Sequence, residues 1–177
     1  MELLAVTLPA SEENVALDEA LLLEAEAASQ PREVLRLWEP DQPMVVIGRA
    51  SKVEGEVDVE VCRELGIPIL RRVSGGAAIV TGPGCLMYAV VLSFDKRPHL
   101  RMIDQAHQFV LGRIADGIKQ VCPQVQLAGT SDLTLSGNVK FSGNSLRCAR
   151  THLLYHGTLL YDFPLELVER CLRTPPR

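Results

Sequence analysis

No run of apolar residues in this 177-residue sequence approaches the ~18 that a membrane-spanning helix needs, and no basic signal region opens the chain. The sequence reads as soluble and cytoplasmic, with no membrane partner expected. Cysteine is thinly spread: Cys62, Cys85, Cys122, Cys148 and Cys171 are odd in number and include no Cys-x-x-Cys, which fits reduced, buried thiols better than a secreted disulfide scaffold. Basic charge is also short. Eighteen Lys and Arg against 22 Asp and Glu leave a net charge of −4, which argues against non-specific nucleic-acid binding. Aromatics make up only 5% of the chain, and the lone tryptophan, Trp38, reads as a core residue. There is no internal repeat, low-complexity tract or linker.

What the chain does have is apolar bulk: 47% hydrophobic against 23% charged residues. That length and balance predict one domain over residues 1–177, burying roughly 70% of its unfolded surface. Ser11 is placed to cap a helix running to about Ala28, with Glu12 and Glu13 in its first turn. Val34 to Trp38 and Met44 to Ile47 read as strands, and Val59 to Leu65 as a short helix ending at Gly66. Strands follow at Ile69 to Arg72, Ala77 to Thr81 and Leu86 to Ser93. Ile103, Ala106, Val110, Ile114, Ile118 and Val121 recur at helical spacing and predict a long amphipathic helix stopping before Pro123. Short strands are then expected at Val125 to Ala128, Asp132 to Leu135, Val139 to Phe141 and Leu153 to Tyr161, with a hairpin turn at Ser136-Gly137-Asn138. Pro164 opens a last short helix. The fold class is mixed α/β, with a largely antiparallel sheet flanked by helices.

Two glycine-rich basic segments interrupt this pattern. The first is Arg71-Arg72-Val73-Ser74-Gly75-Gly76-Ala77-Ala78, and the second is Lys140-Phe141-Ser142-Gly143-Asn144. Sixteen positions after Lys140 stands His156-Gly157-Thr158-Leu159-Leu160. Glycines let a backbone approach a ligand and present its N–H groups, while adjacent cations supply countercharge. Two such segments in an acidic, apolar chain point to an anionic small molecule held between loops.

These segments resemble the lipoate–protein ligases and their relatives, the octanoyltransferases and biotin–protein ligases. Arg71 to Gly76 match the family's Arg-Arg-x-Ser-Gly-Gly, although Ala77 replaces a third glycine, Thr81-Gly82 replace His-Asp, and Gly84-Cys85 replace Gly-Asn. Lys140, Gly143 and His156 to Leu160 match the second motif in full, and Ser131-Asp132 resembles an Asn-Asp pair that helps hold metal and phosphate. Asn14, Ala16, Asp18, Glu19 and Leu21-Leu22 look like the opening helix, while Arg36-Leu37-Trp38 and Val46-Ile47-Gly48-Arg49 resemble the next strands. The likeness spans about Asn14 to Tyr161 and implies a catalytic domain without the C-terminal accessory domain, which a separate chain would then supply.

The resemblance implies ATP and Mg²⁺ as cofactors, lipoate or octanoate as substrate, and lipoyl-domain proteins as acceptors. Activating a carboxylic acid brings its carboxylate beside an α-phosphate. Lys140 is the catalytic candidate, and Arg49, Arg71, Arg72, Ser74, Gly75, Gly76, Ala77, Asp132, Gly143, Asn144, His156 and Gly157 are candidates for holding substrate and nucleotide. Arg71 and Arg72 are otherwise strand-end surface cations. Asp132 either holds Mg²⁺, orients Lys140, or is simply a turn aspartate. His152 and His156 lie four apart on a strand, ~13 Å, too far to share a metal; His152 reads as structural and His156 as pocket lining. Two further readings stay open: an ATP-independent octanoyl or lipoyl transferase using a cysteine thioester, and a non-catalytic lipoate-binding protein. Neither of the positions that carry the transferase cysteine is cysteine here: one is Leu153, the other falls at Ala128-Gly129-Thr130.

Overall fold

A computed structural model describes residues 1–136 and 139–173. Gly137 and Asn138, on which the expected hairpin turn rests, lie outside the described residues, as do residues 174–177. The described chain runs β1 (Glu2–Ala5), α1 (Ser11–Ala27), β2 (Val34–Trp38), β3 (Met44–Ile47), α2 (Val53–Glu56), α3 (Val59–Glu64), β4 (Ile69–Arg71), β5 (Ile79–Thr81) and β6 (Cys85–Ser93). A 3₁₀ turn at Pro98–Arg101 then leads to α4 (Ile103–Ile118), β7 (Gln126–Ala128), β8 (Asp132–Leu135), β9 (Val139–Cys148), β10 (His152–Leu160) and α5 (Glu166–Cys171).

The strands form two sheets. Seven lie in the order β1-β2-β6-β10-β9-β8-β7 and three in the order β4-β3-β5. Only the β1–β2 and β3–β4 pairs are parallel, so the architecture is mixed α/β and mostly antiparallel, as the residue pattern implies. Strand alternation distributes β6 between two cores. Tyr88, Val90 and Leu92 pack with Val110, Leu111 and Ala115 of α4, while Ala89 and Val91 pack with Leu22 and Ala25 of α1. Both faces of this strand are therefore covered, which explains its unbroken apolar run.

Several boundaries differ from the sequence reading for local reasons. Ser11 is the first helical residue rather than the cap. Ala10 takes the cap position with no side-chain bond, and Asn14 fixes the incoming chain by accepting from the Leu8 N–H at 2.9 Å and donating to the Leu8 carbonyl at 2.7 Å. β5 begins at Ile79, not Ala77, because the Ala77 carbonyl is drawn to Arg72 and the Ala78 N–H to Glu56. β9 continues to Cys148 through Ser142-Gly143-Asn144-Ser145, residues of low strand propensity held there by pairing of Ser142 and Gly143 with β8 and of Asn144 and Ser145 with β10.

The end of α1 is tied to the β9–β10 turn through Glu26. Its carboxylate accepts from the Thr151 N–H at 2.8 Å, the Thr151 hydroxyl at 2.7 Å and the Arg150 N–H at 3.1 Å, with His152 Nδ1 at 3.3 Å. Burial raises the pKa of this carboxyl, but the bonds to Thr151, His152 and Arg150 outweigh it and hold the group at about 2. Because the folded value is depressed, the stabilisation is complete above the unfolded value of about 4.5 and is lost as pH falls toward 2. We predict that Glu26→Gln removes a large part of the acid-induced loss of stability in that window, an effect of roughly 3 kcal/mol. Urea melts at stepped pH values measure it; parallel native and variant curves contradict the assignment.

Candidate active site

A cavity of about 410 Å³ lies where the three-stranded sheet faces β9 and β10, a size typical of small-molecule sites. Val15, Trp38, Val46, Ile79 and Met87, which pack against one another, form its apolar wall, with Leu160 beside them. The polar wall comes from α1, β8, β9 and β10: Asp18, Asp132, Lys140, Asn144, Ser145 and His156. Trp38 is buried, as its pattern implies, and also lines this space.

The second glycine-rich segment reaches the cavity through β9. Lys140 Nζ lies 2.9 Å from Asp132 Oδ2 across the β8–β9 pair, and both side chains retain partial exposure. Asn144 Nδ2 donates to the Ser131 carbonyl at 2.7 Å, and its Oδ1 accepts from the Tyr88 hydroxyl. Gly157 makes room for that side chain: a Cβ there falls 1.7 Å from Asn144 Oδ1 and 2.9 Å from the Gly143 carbonyl oxygen. We predict that Gly157→Ala expels Asn144 from its bonds and destabilises the protein by about 1–3 kcal/mol. A denaturant titration checks this; an unchanged midpoint contradicts it.

The first segment divides its two arginines. Arg72 is buried, and its guanidinium donates to the carbonyls of Val46 at 3.0 Å, Gly75 at 2.6 Å and Ala77 at 2.9 Å. Burial lowers its pKa to about 10, so it remains charged at neutral pH. It shapes the loop from within the cavity wall. The Gly75 carbonyl turns toward Arg72, which sends the N–H of Gly76 across the planar peptide in the opposite direction. The N–H groups of Gly75, Gly76 and Ala77 have no acceptor among the described residues, an arrangement suited to an anion.

Arg71 and Arg49 are placed differently from the sequence reading. The Arg71 guanidinium donates to the carbonyls of Gly48, Arg49 and Ser51 at 2.8, 3.1 and 2.9 Å and does not line the cavity. Arg49 lines a separate, smaller recess with Gly75, Arg147 and Cys148. Ser74 is buried behind the wall, where its hydroxyl meets Ser145 and His156.

Residues beyond those candidates also reach the site, among them Ser145 and Asp18, with Arg36 behind Asp18. Asp18 Oδ2 lies 3.0 Å from His156 Nδ1, and Asp18 Oδ1 accepts from Arg36 Nη1 at 2.8 Å. Arg36 is fully buried and also donates to the Asn14 carbonyl and to Asn14 Oδ1, both at 2.7 Å. Its position was signalled by an arginine in the middle of the apolar strand Val34-Leu35-Arg36-Leu37-Trp38, which has to meet a buried acceptor. Among the described residues no group of three or more His, Cys, Asp or Glu side chains is arranged around a metal position, and no helix is long and apolar enough to cross a membrane.

The cavity joins an apolar wall to a lysine and to N–H groups without acceptors among the described residues, features suited to a small, partly apolar anion. Residues 10–177 match the family described as the lipoyl protein ligase A/B catalytic domain, and the chain belongs to that family. It is 26% identical over 145 residues to lipoate-protein ligase LplJ of Bacillus subtilis, covering 81% of this chain and 41% of the relative. It is 31% identical over 148 residues to a putative lipoate-protein ligase A of Aeropyrum pernix, covering 83% and 52%. Lipoyl amidotransferase LIPT1 of Mus musculus is 29% identical over 147 residues, covering 80% and 36%. The chain thus spans about half the length of such relatives, or less. Among solved structures, the bipartite lipoate protein ligase system of Thermoplasma acidophilum superposes with a TM-score of 0.78 at 24% identity, over 99% of this chain and 67% of that one. A lipoate-protein ligase A bound with ATP gives 0.78 at 23% identity, over 98% and 72%. These two likenesses establish the fold.

Proposed function

We propose that this domain transfers lipoate or octanoate to the lysine of a lipoyl-domain protein, after activating the acid with Mg-ATP to an acyl-adenylate. The observation that carries the reading is Lys140 on the wall of a cavity that also borders Gly76 and Ala77, whose N–H groups have no acceptor among the described residues and can donate to an anion. The apolar wall takes the acyl chain: six or seven methylenes at ~0.8 kcal/mol each contribute roughly 5 kcal/mol. Lys140 then faces the oxygen on which charge develops, a compact cation suited to one mobile atom.

The residues present suit a phosphate-bound Mg²⁺ better than a protein-caged metal. Asp132 Oδ1 takes no side-chain hydrogen bond among the described residues, and Mg²⁺ characteristically uses one or two carboxylates together with substrate phosphates. Asp132 would hold the ion, whose chemistry is to neutralise phosphate charge, and the N–H groups of residues 75–77 would receive the phosphate oxygens. Lys140 and Asp132 orient one another in either role.

A second reading, transfer without ATP, is favoured by the segment that replaces the family's His-Asp. The Thr81 hydroxyl is buried against the Met87 sulfur at 3.1 Å, and Gly82 abuts Pro43, so neither offers a side chain to a nucleotide. One relative bears the name lipoyl amidotransferase. A cysteine thioester finds less support. Cys85 is buried, with its thiol pushed up by that burial, and neither Cys122 nor Cys148 lines the cavity. Pyrophosphate release separates the readings. Release that depends on lipoate supports the ligase, whereas transfer from preformed lipoyl-adenylate without any release supports the amidotransferase. Retained activity in Cys85→Ser, Cys122→Ser and Cys148→Ser removes the thioester route.

A further inference from the structure

A line of hydrogen bonds leaves the cavity wall at Ser145 and ends at a buried arginine. Ser145 Oγ lies 2.6 Å from Ser74 Oγ, which lies 2.5 Å from His156 Nε2. His156 Nδ1 lies 3.0 Å from Asp18 Oδ2, and Asp18 Oδ1 receives Arg36 Nη1 at 2.8 Å. Ser74, Asp18 and His156 are all buried, and Arg36 is wholly so. Only Ser145, His156 and Asp18 of this line border the cavity.

For a neutral His156 ring, the direction of every proton in this line follows from donor and acceptor chemistry. An ionised Asp18, paired with Arg36, only accepts, so Nδ1 of His156 carries the ring proton and Nε2 of the neutral ring presents a lone pair. Ser74 must therefore donate to His156. Its hydroxyl oxygen has a third neighbour, Arg72 Nε at 3.2 Å, which only donates. With its own proton directed at His156 and one lone pair taken by Arg72, Ser74 can only accept from Ser145. The Ser145 proton thus points into the wall and its remaining lone pairs face the cavity.

We propose that Ser145 takes the proton shed by the attacking lysine amine, and that Ser74 and His156 relay it away from the reacting carbon. This rests on the reading of the domain as one that acylates a lysine, and holds whether or not ATP supplies the activated acid. The amine lone pair forms the C–N bond to the acyl carbonyl, and the bond from that carbon to the leaving group breaks with its electron pair on the leaving group. The N–H proton passes to Ser145 as the Ser145 proton moves to Ser74 and the Ser74 proton to His156 Nε2. The resulting imidazolium is held by Asp18 and later returns the proton to water. The charged groups around it are Asp18 from α1, Arg36 from β2 and Arg72 from the segment after β4. Once His156 is charged, its bond to Ser74 and the Ser74–Ser145 bond reverse while Nδ1 still donates to Asp18, and Ser145 presents a donor to the cavity, so one proton changes the polarity of the wall.

Ser145→Ala and His156→Gln test the relay with preformed lipoyl-adenylate and two nucleophiles. Transfer to a lipoyl-domain lysine is expected to fall by about 10²–10⁴, whereas capture by hydroxylamine, a weakly basic amine that is neutral at pH 7, stays within about threefold of native. Equal losses with both nucleophiles mean that the residues merely hold the wall together, and overturn the proposal. A native protein that acylates no lysine refutes the functional reading instead. In that case ¹⁵N NMR of His156 decides the relay by itself: a neutral ring protonated at Nδ1 supports its polarity, and one protonated at Nε2 overturns it.

Discussion

Lys140→Ala is expected to lower lipoyl transfer by about 10²–10³ while leaving the fold nearly unchanged. Lys140 lies on β9 with its ammonium 2.9 Å from Asp132, partly exposed and bordering the cavity. A half-exposed ion pair contributes little to stability, so removal of the side chain shifts the unfolding midpoint by no more than ~0.5 kcal/mol. In the transition state the same ammonium meets charge that the ground state does not carry, and that difference is what a rate measurement reads. Lys140→Arg restores only part of the rate, because a planar fork does not place its charge where a compact ammonium does. Steady-state transfer to a lipoyl domain measures both variants. Turnover within twofold of native in Lys140→Ala contradicts the assignment.

Arg36→Met is expected to have the opposite character, with a large cost in stability of about 3–5 kcal/mol. Its guanidinium is completely buried, and the strand carrying it packs under α1 through Asp18 and Asn14. Burial lowers the arginine's pKa and the bond to Asp18 raises it in part, which shows that the pair balances a desolvation cost. Removing one partner leaves Asp18 as an uncompensated charge beside His156. Adding Asp18→Asn to the same chain should recover part of the loss, since a neutral amide costs less to bury alone. Guanidinium melts of the single and double variants measure this. A single-variant loss below ~1 kcal/mol contradicts the buried-pair account.

These two residues also show what a linear reading reaches. Lys140 is legible because its motif is local: a cation followed three positions on by a glycine, sixteen positions before His156. Asp18 is 138 positions from His156, and nothing near Asp18 in the chain announces that partner. Arg36 stands in a stretch that resembles the family, and its charge within an apolar strand calls for a buried acceptor without saying which one. The pair Arg71-Arg72 illustrates another limit. Successive residues at the end of a strand point to opposite sides, so at most one of the two could face the cavity. Which one depends on how β4 pairs with β3, and the register Ile47↔Arg71 turns Arg71 outward onto the carbonyls of Gly48, Arg49 and Ser51. The unbroken apolar run of β6 and the helical periodicity of α4 are strong enough to place those elements. β1 was not foreseen, because this short edge strand is largely exposed and carries no alternation to detect.

The most direct test of the central claim is the intact mass of an apo lipoyl domain after incubation with this protein and preformed lipoyl-adenylate. Supplying the adenylate removes any dependence on the first half-reaction. The account predicts one added lipoyl group per domain, on the acceptor lysine, at a rate that collapses in Lys140→Ala. A mass no different from the enzyme-free control, or a gain that persists when the acceptor lysine is replaced, would contradict it.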